Sequence, residues 1–134
     1  MSVLELNGRV FDASTTGTLT LTGEGSATTN VTQGLAKCWV NFNGIGTIAA
    51  RDSFNLSSLT DTGTGDHTVV VTNNMANDDI VGYGFSSSGA VTGTDTFINP
   101  YVWTTTGVAM GVNNSSGNLI DRLHINVALL GDLA

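Results

Sequence analysis

The tripeptide Asp-Thr-Gly at residues 61–63 matches the motif that carries the catalytic aspartate of aspartic proteases. In those enzymes two copies of the motif bring two carboxylates close enough to share one proton, and a short chain could supply the second copy by dimerising. Here the motif is followed by Thr-Gly-Asp at residues 64–66, and Asp and Gly are residues that tight turns favour. We therefore interpret residues 61–66 as the tip of a β-hairpin.

A hydrolase that uses serine or cysteine as its nucleophile needs a base beside it, and His67 and His124 are the only two histidines. Both lie inside segments that we predict to be β-strands, and no serine lies in a Gly-x-Ser-x-Gly motif. We predict that both histidines are surface or interface residues. No catalytic residue is predicted, and we expect that the chain is not an enzyme.

Acidic residues in predicted turns could offer oxygen ligands to calcium, namely Asp61, Asp66, Asp78 and Asp79. Their spacing fits no EF-hand loop, and carboxylates in turns are commonly just solvated. We therefore predict no metal site and no cofactor. Whether calcium binds stays open at this point.

Several aromatic residues could form a platform on which sugar rings stack, namely Trp39, Trp103, Tyr83 and Tyr101. Aromatic side chains in strands more often belong to a core or to an interface between subunits. We assign nine residues to the core or to a subunit interface: Trp39, Phe42, Phe54, Val69, Val71, Tyr83, Phe85, Ile125 and Val127.

The composition favours β-structure and excludes several classes of partner. Among 134 residues, 11% are charged and 40% hydrophobic, with 17 glycines and 20 threonines, whereas helices use more Lys, Glu, Gln and Ala. The four basic residues Arg9, Lys37, Arg51 and Arg122 are scattered in a chain of net charge −7, so we expect no nucleic-acid partner. No 18-residue apolar run is present, and we expect no membrane insertion. The single Cys38 excludes an intrachain disulfide.

Alternating apolar and polar residues predict the strands that must position these side chains. The clearest pattern is 121–129, where Leu123, Ile125, Val127 and Leu129 share the inward face. Strands are also predicted at 18–22, 36–42, 67–72, 80–85, 101–105 and 108–112, with an edge strand beginning within 2–11 and polar connections at 13–17 and 23–34. Turn-forming residues separate the segments at intervals of roughly 8–12 residues, which is typical of sandwiches and barrels.

A long segment resembles tail-fibre and related virion proteins of bacteriophages, particularly marine and cyanobacterial ones. The residues are Lys-x-Trp-Val-Asn-Phe-Asn-Gly at 37–44, Arg-x-Ser-Phe-Asn at 51–55 and Asp-x-Gly-Thr-Gly-Asp-x-Thr-Val at 61–69, and the ending at 126–132 is similar as well. Cys38 and His67 depart from the pattern, because a small apolar residue and a tyrosine are expected there. Only some 35 residues precede the segment, too few for a fibre shaft, so we expect direct attachment to another virion component or the capping of an assembly.

Residues and resemblance together predict an all-β, single-domain antiparallel β-sandwich that is jelly-roll-like and, by the resemblance, trimeric. Residues 1–35 are expected to supply N-terminal strands and an attachment segment, and residues 36–134 the fibre-type sandwich, within one compact domain overall. The resemblance implies a virion surface protein that is made in the host cytoplasm. Its expected partners are further copies of itself, in a homotrimer, and other tail or capsid proteins of the virion.

Three functions are compatible with that expectation. The first is a non-enzymatic fibre-type domain for host adhesion, whose loops contact host surface glycans. The second is a capsid decoration or head-fibre protein. An enzyme acting on host polysaccharide is the third and least favoured, since no carboxylate pair can be singled out for glycoside hydrolysis.

Overall fold

The computed structural model describes residues 3–6, 9–12, 20–22, 28–88 and 96–134. The chain divides into two compact units, Met1–Leu35 and Ala36–Ala134. This division falls at the boundary chosen from the sequence, while the single compact domain overall stays a prediction. Each unit is built from antiparallel strands.

In the first unit, the described strands form two short hairpins, and the first three of these strands lie where strands were predicted, within 2–11 and at 18–22. β1 (Val3–Leu6) pairs with β2 (Arg9–Asp12), and β3 (Thr20–Thr22) pairs with β4 (Thr28–Asn30), which continues into the one-turn helix α1 (Val31–Gly34). The prediction of a polar connection over 23–34 is therefore wrong for its second half. β4 consists of three polar residues, so it has no alternation of apolar residues from which a strand could be predicted. Its backbone nevertheless pairs with β3. The connection predicted at 13–17 and the first two residues of the strand predicted at 18–22 lie outside the described residues.

The second unit is a sandwich of two four-stranded antiparallel sheets. The first sheet has the order β6-β5-β12-β9, and the second sheet has the order β10-β11-β8-β7. The strands are β5 (Cys38–Asn43), β6 (Ala49–Phe54), β7 (Leu56–Gly63), β8 (Asp66–Val71), β9 (Val81–Ser87), β10 (Thr96–Thr104), β11 (Gly107–Asn114) and β12 (His124–Leu130). The predicted all-β antiparallel sandwich is confirmed.

One core fills the space between the sheets because alternate side chains of β5, β8, β11 and β12 point inward. Along β12 the buried residues are Ile125, Val127 and Leu129, as the alternation predicts. The strand begins at His124, however, so the predicted start at 121 is wrong and Leu123 lies before the strand, only partly buried. The other buried apolar residues on these strands are Cys38, Val40, Phe42, Val69, Val71, Val108, Met110 and Val112, and Met75 and Ile80 close the core from the connection after β8.

The sequence pattern does not predict β6 and β7, and each strand has its own structural reason. β6 is exposed along most of its length, so it has no apolar alternation to detect. In β7, an irregularity in the pairing with β8 between Leu56 and Ser58 shifts the register. A bulge of this kind inserts an extra residue and breaks the period of two. Leu56 and Leu59, an odd number of residues apart, consequently both pack against the core.

Asn55 makes the corner at which the chain leaves β6 in the first sheet and enters β7 in the second. Its φ of 56° is in the left-handed region, which Asn tolerates better than most residues. Its side-chain amide donates to the Lys37 carbonyl at 2.8 Å, and its side-chain oxygen accepts from the Asn73 backbone N–H at 2.8 Å. The last residue of the motif at 51–55 therefore has a structural role.

The inward face of β9 carries glycines, contrary to the expectation that its aromatic residues fill the core. A Cβ on Gly82 would lie 2.6 Å from Cη2 of Trp103, and one on Gly84 would lie 2.7 Å from Cδ1 of Ile98. Side chains of β10 thus already occupy the space above β9. Tyr83 and Phe85 must therefore point away from the core, and both are exposed.

Candidate functional site

The nine predicted core or interface residues divide into two groups. Phe42, Val69, Val71, Ile125 and Val127 are buried in the core, as predicted. The other four, Trp39, Phe54, Tyr83 and Phe85, lie on the outer face of the first sheet and are 38, 53, 61 and 66% exposed. They are not core residues of the chain, and an interface role for them stays a prediction.

Strand register arranges the outer face of the first sheet into rows of side chains. One row runs Phe54, Trp39, Ala128 and Tyr83 across β6, β5, β12 and β9. The next row runs Asp52, Asn41, Asn126 and Phe85 across the same strands. In the first row the short Ala128 on β12 lies between the larger Trp39 and Tyr83, and in the second row Phe85 lies beside the smaller Asn126 and Asn41.

This arrangement leaves a trough along β12, with a cavity volume of about 280 Å³. We define the aromatic trough by six outward side chains: Trp39, Asn41, Tyr83, Phe85, Asn126 and Ala128. Trp39 forms one wall from β5, and Tyr83 and Phe85 form the other from β9. Because neighbouring strands lie about 4.8 Å apart, the two walls start roughly 10 Å apart at the backbone.

The surface of the trough is uncharged and mainly apolar, and one pair of polar side chains, Asn41 and Asn126, lies on its floor. The side-chain amide of Asn41 donates to the side-chain oxygen of Asn126 at 2.5 Å. Within the described part of the chain, the Asn126 amide and the Asn41 oxygen make no further hydrogen bond. They therefore offer one donor group and one acceptor to a ligand lying between the aromatic walls.

No family model, curated protein or solved structure matches this chain. No similarity therefore assigns a ligand to the aromatic trough, and its chemistry has to be derived from its own side chains. In the ranges that the structure describes, no three His, Cys, Asp or Glu side chains gather as a metal site. No described helix is long and apolar enough to cross a membrane.

The four aromatic residues considered for sugar stacking do not all come together. Trp39 and Tyr83 share the aromatic trough, whereas Trp103 packs against the core above Gly82. Tyr101 lies on β10 in the second sheet, where its hydroxyl donates to Asp66. Phe85, which the sequence suggested only as a core or interface residue, completes the wall. No local sequence signal places it outside, because the side chains that occupy the core above β9 come from β10.

Residues 61–66 form the hairpin end between β7 and β8, as interpreted from the sequence. The backbone N–H of Gly63 donates to the Asp61 carboxylate at 3.1 Å, and the Thr62 hydroxyl donates to the Asp66 carbonyl at 2.9 Å. The Asp61 side chain caps its own turn and is exposed to solvent. Its position is that of a turn residue.

His67 is the main correction to the predicted placement of polar residues. It was expected at the surface or an interface, yet it is fully buried, and its ring meets that of Phe42 edge-on at 5.4 Å between centroids. Neither ring nitrogen has a hydrogen-bond partner among the described residues. The imidazole therefore does not hold a serine or cysteine as a catalytic base would.

The only cysteine is equally unsuited to nucleophilic chemistry. Cys38 is buried in the core, and this burial raises the pKa of its thiol to about 11. At neutral pH the thiol keeps its proton, whereas the thiolate is the nucleophilic form. Cys38 therefore acts as a small core residue.

Burial of His67 makes the stability of the sandwich depend on pH. Desolvation lowers its pKa, although the charges of Asp61, Asp121 and Asp66 act in the opposite direction. The unfolded chain then binds the proton more readily, so the stability tied to neutral His67 is complete above about pH 6.5 and is lost as pH falls through the folded-state pKa. We expect the urea midpoint to fall between about pH 7.5 and about pH 5.

Variants assign this pH dependence to one residue. In His67→Phe the midpoint should fall less over the same interval, because the buried group that titrates is gone. The matched control is His124→Gln, since His124 is partly exposed at the start of β12, and it should keep the wild-type dependence. An unchanged pH dependence in His67→Phe would contradict the assignment.

Proposed function

We propose that the chain is a non-enzymatic structural protein of a bacteriophage particle, acting as a fibre-type surface domain that attaches the particle to its host. The observation that carries the proposal is the set of exposed aromatic side chains, Trp39, Phe54, Tyr83 and Phe85, on one sheet face. Clustered apolar side chains on a protein surface usually mark a place where another molecule binds. A surface domain whose work is attachment needs such a place.

The segment that resembles phage fibre proteins supports the proposal through where its motifs lie. Residues 37–44 include β5, residues 51–55 end β6 and make the corner at Asn55, and residues 61–69 span the β7–β8 hairpin. These residues lie in β5 to β8 and their connections, which form part of the framework of the sandwich. A resemblance concentrated in framework residues suits a structural protein better than an enzyme family.

We further propose that the chain assembles as a homotrimer. The outer face of the second sheet supports this, because Thr60, Thr68, Ala109 and Val102 form a cross-strand row of small side chains. Small and β-branched residues let two sheets approach closely, and cyclic symmetry closes such contacts into a finite assembly. Light scattering should then give about three times the monomer mass of 13.8 kDa, and a monomer at micromolar concentration would contradict the trimer.

Immunogold labelling of the particles whose genome encodes the chain tests the main proposal. We expect label on the particle surface, at the tail, with a few to a few tens of copies per particle by quantitative mass spectrometry. Hundreds of copies spread over the head would instead support the alternative, a capsid decoration or head-fibre protein. Purified particles that contain no copy of the chain would overturn both.

A further inference from the structure

We propose that the aromatic trough binds an uncharged saccharide, an inference that deepens the proposed adhesion function and rests on it. The trough combines three properties on one face of the first sheet: aromatic walls, a pair of asparagine side chains on an otherwise apolar floor, and the absence of charge among its six defining side chains. Each property restricts the chemistry of the ligand. Together they favour a neutral sugar.

The walls favour a ligand with flat, weakly apolar faces. Trp39 projects from β5, and Tyr83 and Phe85 project from β9, on either side of the single strand β12. The face of an aromatic ring is electron-rich, and the C–H groups on one face of a pyranose ring carry a small positive charge. A sugar ring can therefore lie against Trp39 while a neighbouring ring or its edge contacts Tyr83.

The floor favours a ligand that also carries hydroxyl groups. The Asn126 amide is a donor and the Asn41 oxygen is an acceptor, and a hydroxyl can serve both at once. A purely apolar ligand would cover these two groups and leave them without hydrogen bonds, which costs free energy. Hydroxyls that face the floor and C–H groups that face the walls are together the pattern of a saccharide.

Charge argues against acidic saccharides. No cationic side chain lines the trough, and the chain carries a net charge of −7, so a carboxylated or sulfated sugar would gain no ion pair and would be repelled. A second copy of the chain is the alternative occupant of this face. A contact between copies would show as a lower mass in solution when an aromatic side chain of the trough is truncated.

Glycan-array binding followed by titration tests the inference. The probes are an immobilised array of neutral and acidic oligosaccharides, then the best neutral binder in solution, followed by the change in tryptophan fluorescence and by calorimetry. We expect neutral oligosaccharides to bind in preference to sialylated or sulfated ones. Trp39→Ala and Tyr83→Ala should each weaken binding roughly tenfold or more, Asn126→Ala should weaken it too, and Trp39→Phe should retain much of it.

The matched control is Phe97→Ala, which removes an aromatic side chain that is 48% exposed on β10 of the other sheet. Its affinity should stay within about twofold of the wild type. Circular dichroism and the mass in solution are measured for every variant, so that misfolding and altered assembly are seen directly. If Trp39→Ala or Tyr83→Ala lowers the oligomer mass, the face is a contact between copies and the saccharide site is wrong.

The inference is also overturned if no neutral saccharide binds at millimolar concentration, if acidic ones bind better, or if Trp39→Ala and Tyr83→Ala bind as the wild type does. These failures leave the attachment function standing when gold label is found on the particles. If the chain binds a neutral saccharide but is absent from purified particles, the saccharide site is confirmed and the proposed function on the virion is wrong.

Discussion

Replacing Phe42 by alanine lowers the free energy of unfolding by ~3–5 kcal/mol, whereas the same change at Phe85 alters it by no more than about 1 kcal/mol. Both residues are phenylalanines in strands of the first sheet. Phe42 on β5 is fully buried against His67, and its loss leaves a cavity that the packed sheets cannot close. Phe85 on β9 is 66% exposed, so its truncation removes few contacts of the folded monomer.

Urea unfolding followed by circular dichroism measures both changes under the same conditions. The two variants share their chemistry, so the difference between them reports only on the faces from which the rings are removed. Equal losses of stability in Phe42→Ala and Phe85→Ala would mean that the inward and outward faces of the first sheet are wrongly assigned. Loss of saccharide binding in Phe85→Ala at near-normal stability would further support the aromatic trough.

The second large effect is expected at Gly107, the first residue of β11. Its φ of 152° is a backbone conformation that residues with a Cβ rarely adopt, and an added Cβ would collide with the backbone carbonyl of Val69 on β8. Gly107→Ala must therefore strain the backbone and push two neighbouring strands of the second sheet apart. We expect it to lower the free energy of unfolding by ~2–4 kcal/mol.

Gly46→Ala separates these two causes. Gly46 also has a positive φ, 69°, but open space surrounds its Cα, so a Cβ there meets no neighbour. Only the cost of the left-handed backbone remains, about 1 kcal/mol. Thermal unfolding of both variants gives the comparison, and a smaller loss for Gly107→Ala than for Gly46→Ala would show that β8 and β11 do not approach as closely as described.

The alternation of apolar residues was sufficient to predict the strands that face the core on one side only. β12 illustrates this, because Ile125, Val127 and Leu129 are buried as their spacing requires. The same rule would have placed His67 correctly, since it shares the parity of Val69 and Val71 on β8. The polarity of the His67 side chain led to the expectation that it lies at the surface or an interface, but its position in the strand places it in the core.

The faces of β9 could not be predicted from local sequence. Large apolar residues usually fill a core, so Tyr83 and Phe85 were expected there, but Trp103 and Ile98 of β10 occupy that space. Only the packing of the second sheet on the first determines whether the aromatic residues or the glycines of β9 face the core. The aromatic trough depends in addition on the register that sets Ala128 between Trp39 and Tyr83, and the pairing of distant strands is not written in any one segment.

The central position of β12 in the first sheet has a consequence for how the protein is made. β12 pairs with β5 and β9, and Asn126 on β12 is 85 residues away in the chain from its hydrogen-bond partner Asn41 on β5. While the ribosome is still synthesising residues before 124, β5 and β9 have no strand between them and expose unpaired edges that can join other chains. The first sheet can therefore be completed only after β12 has been synthesised. A chain on which translation stalls late would have an incomplete first sheet with strand edges that are prone to aggregation.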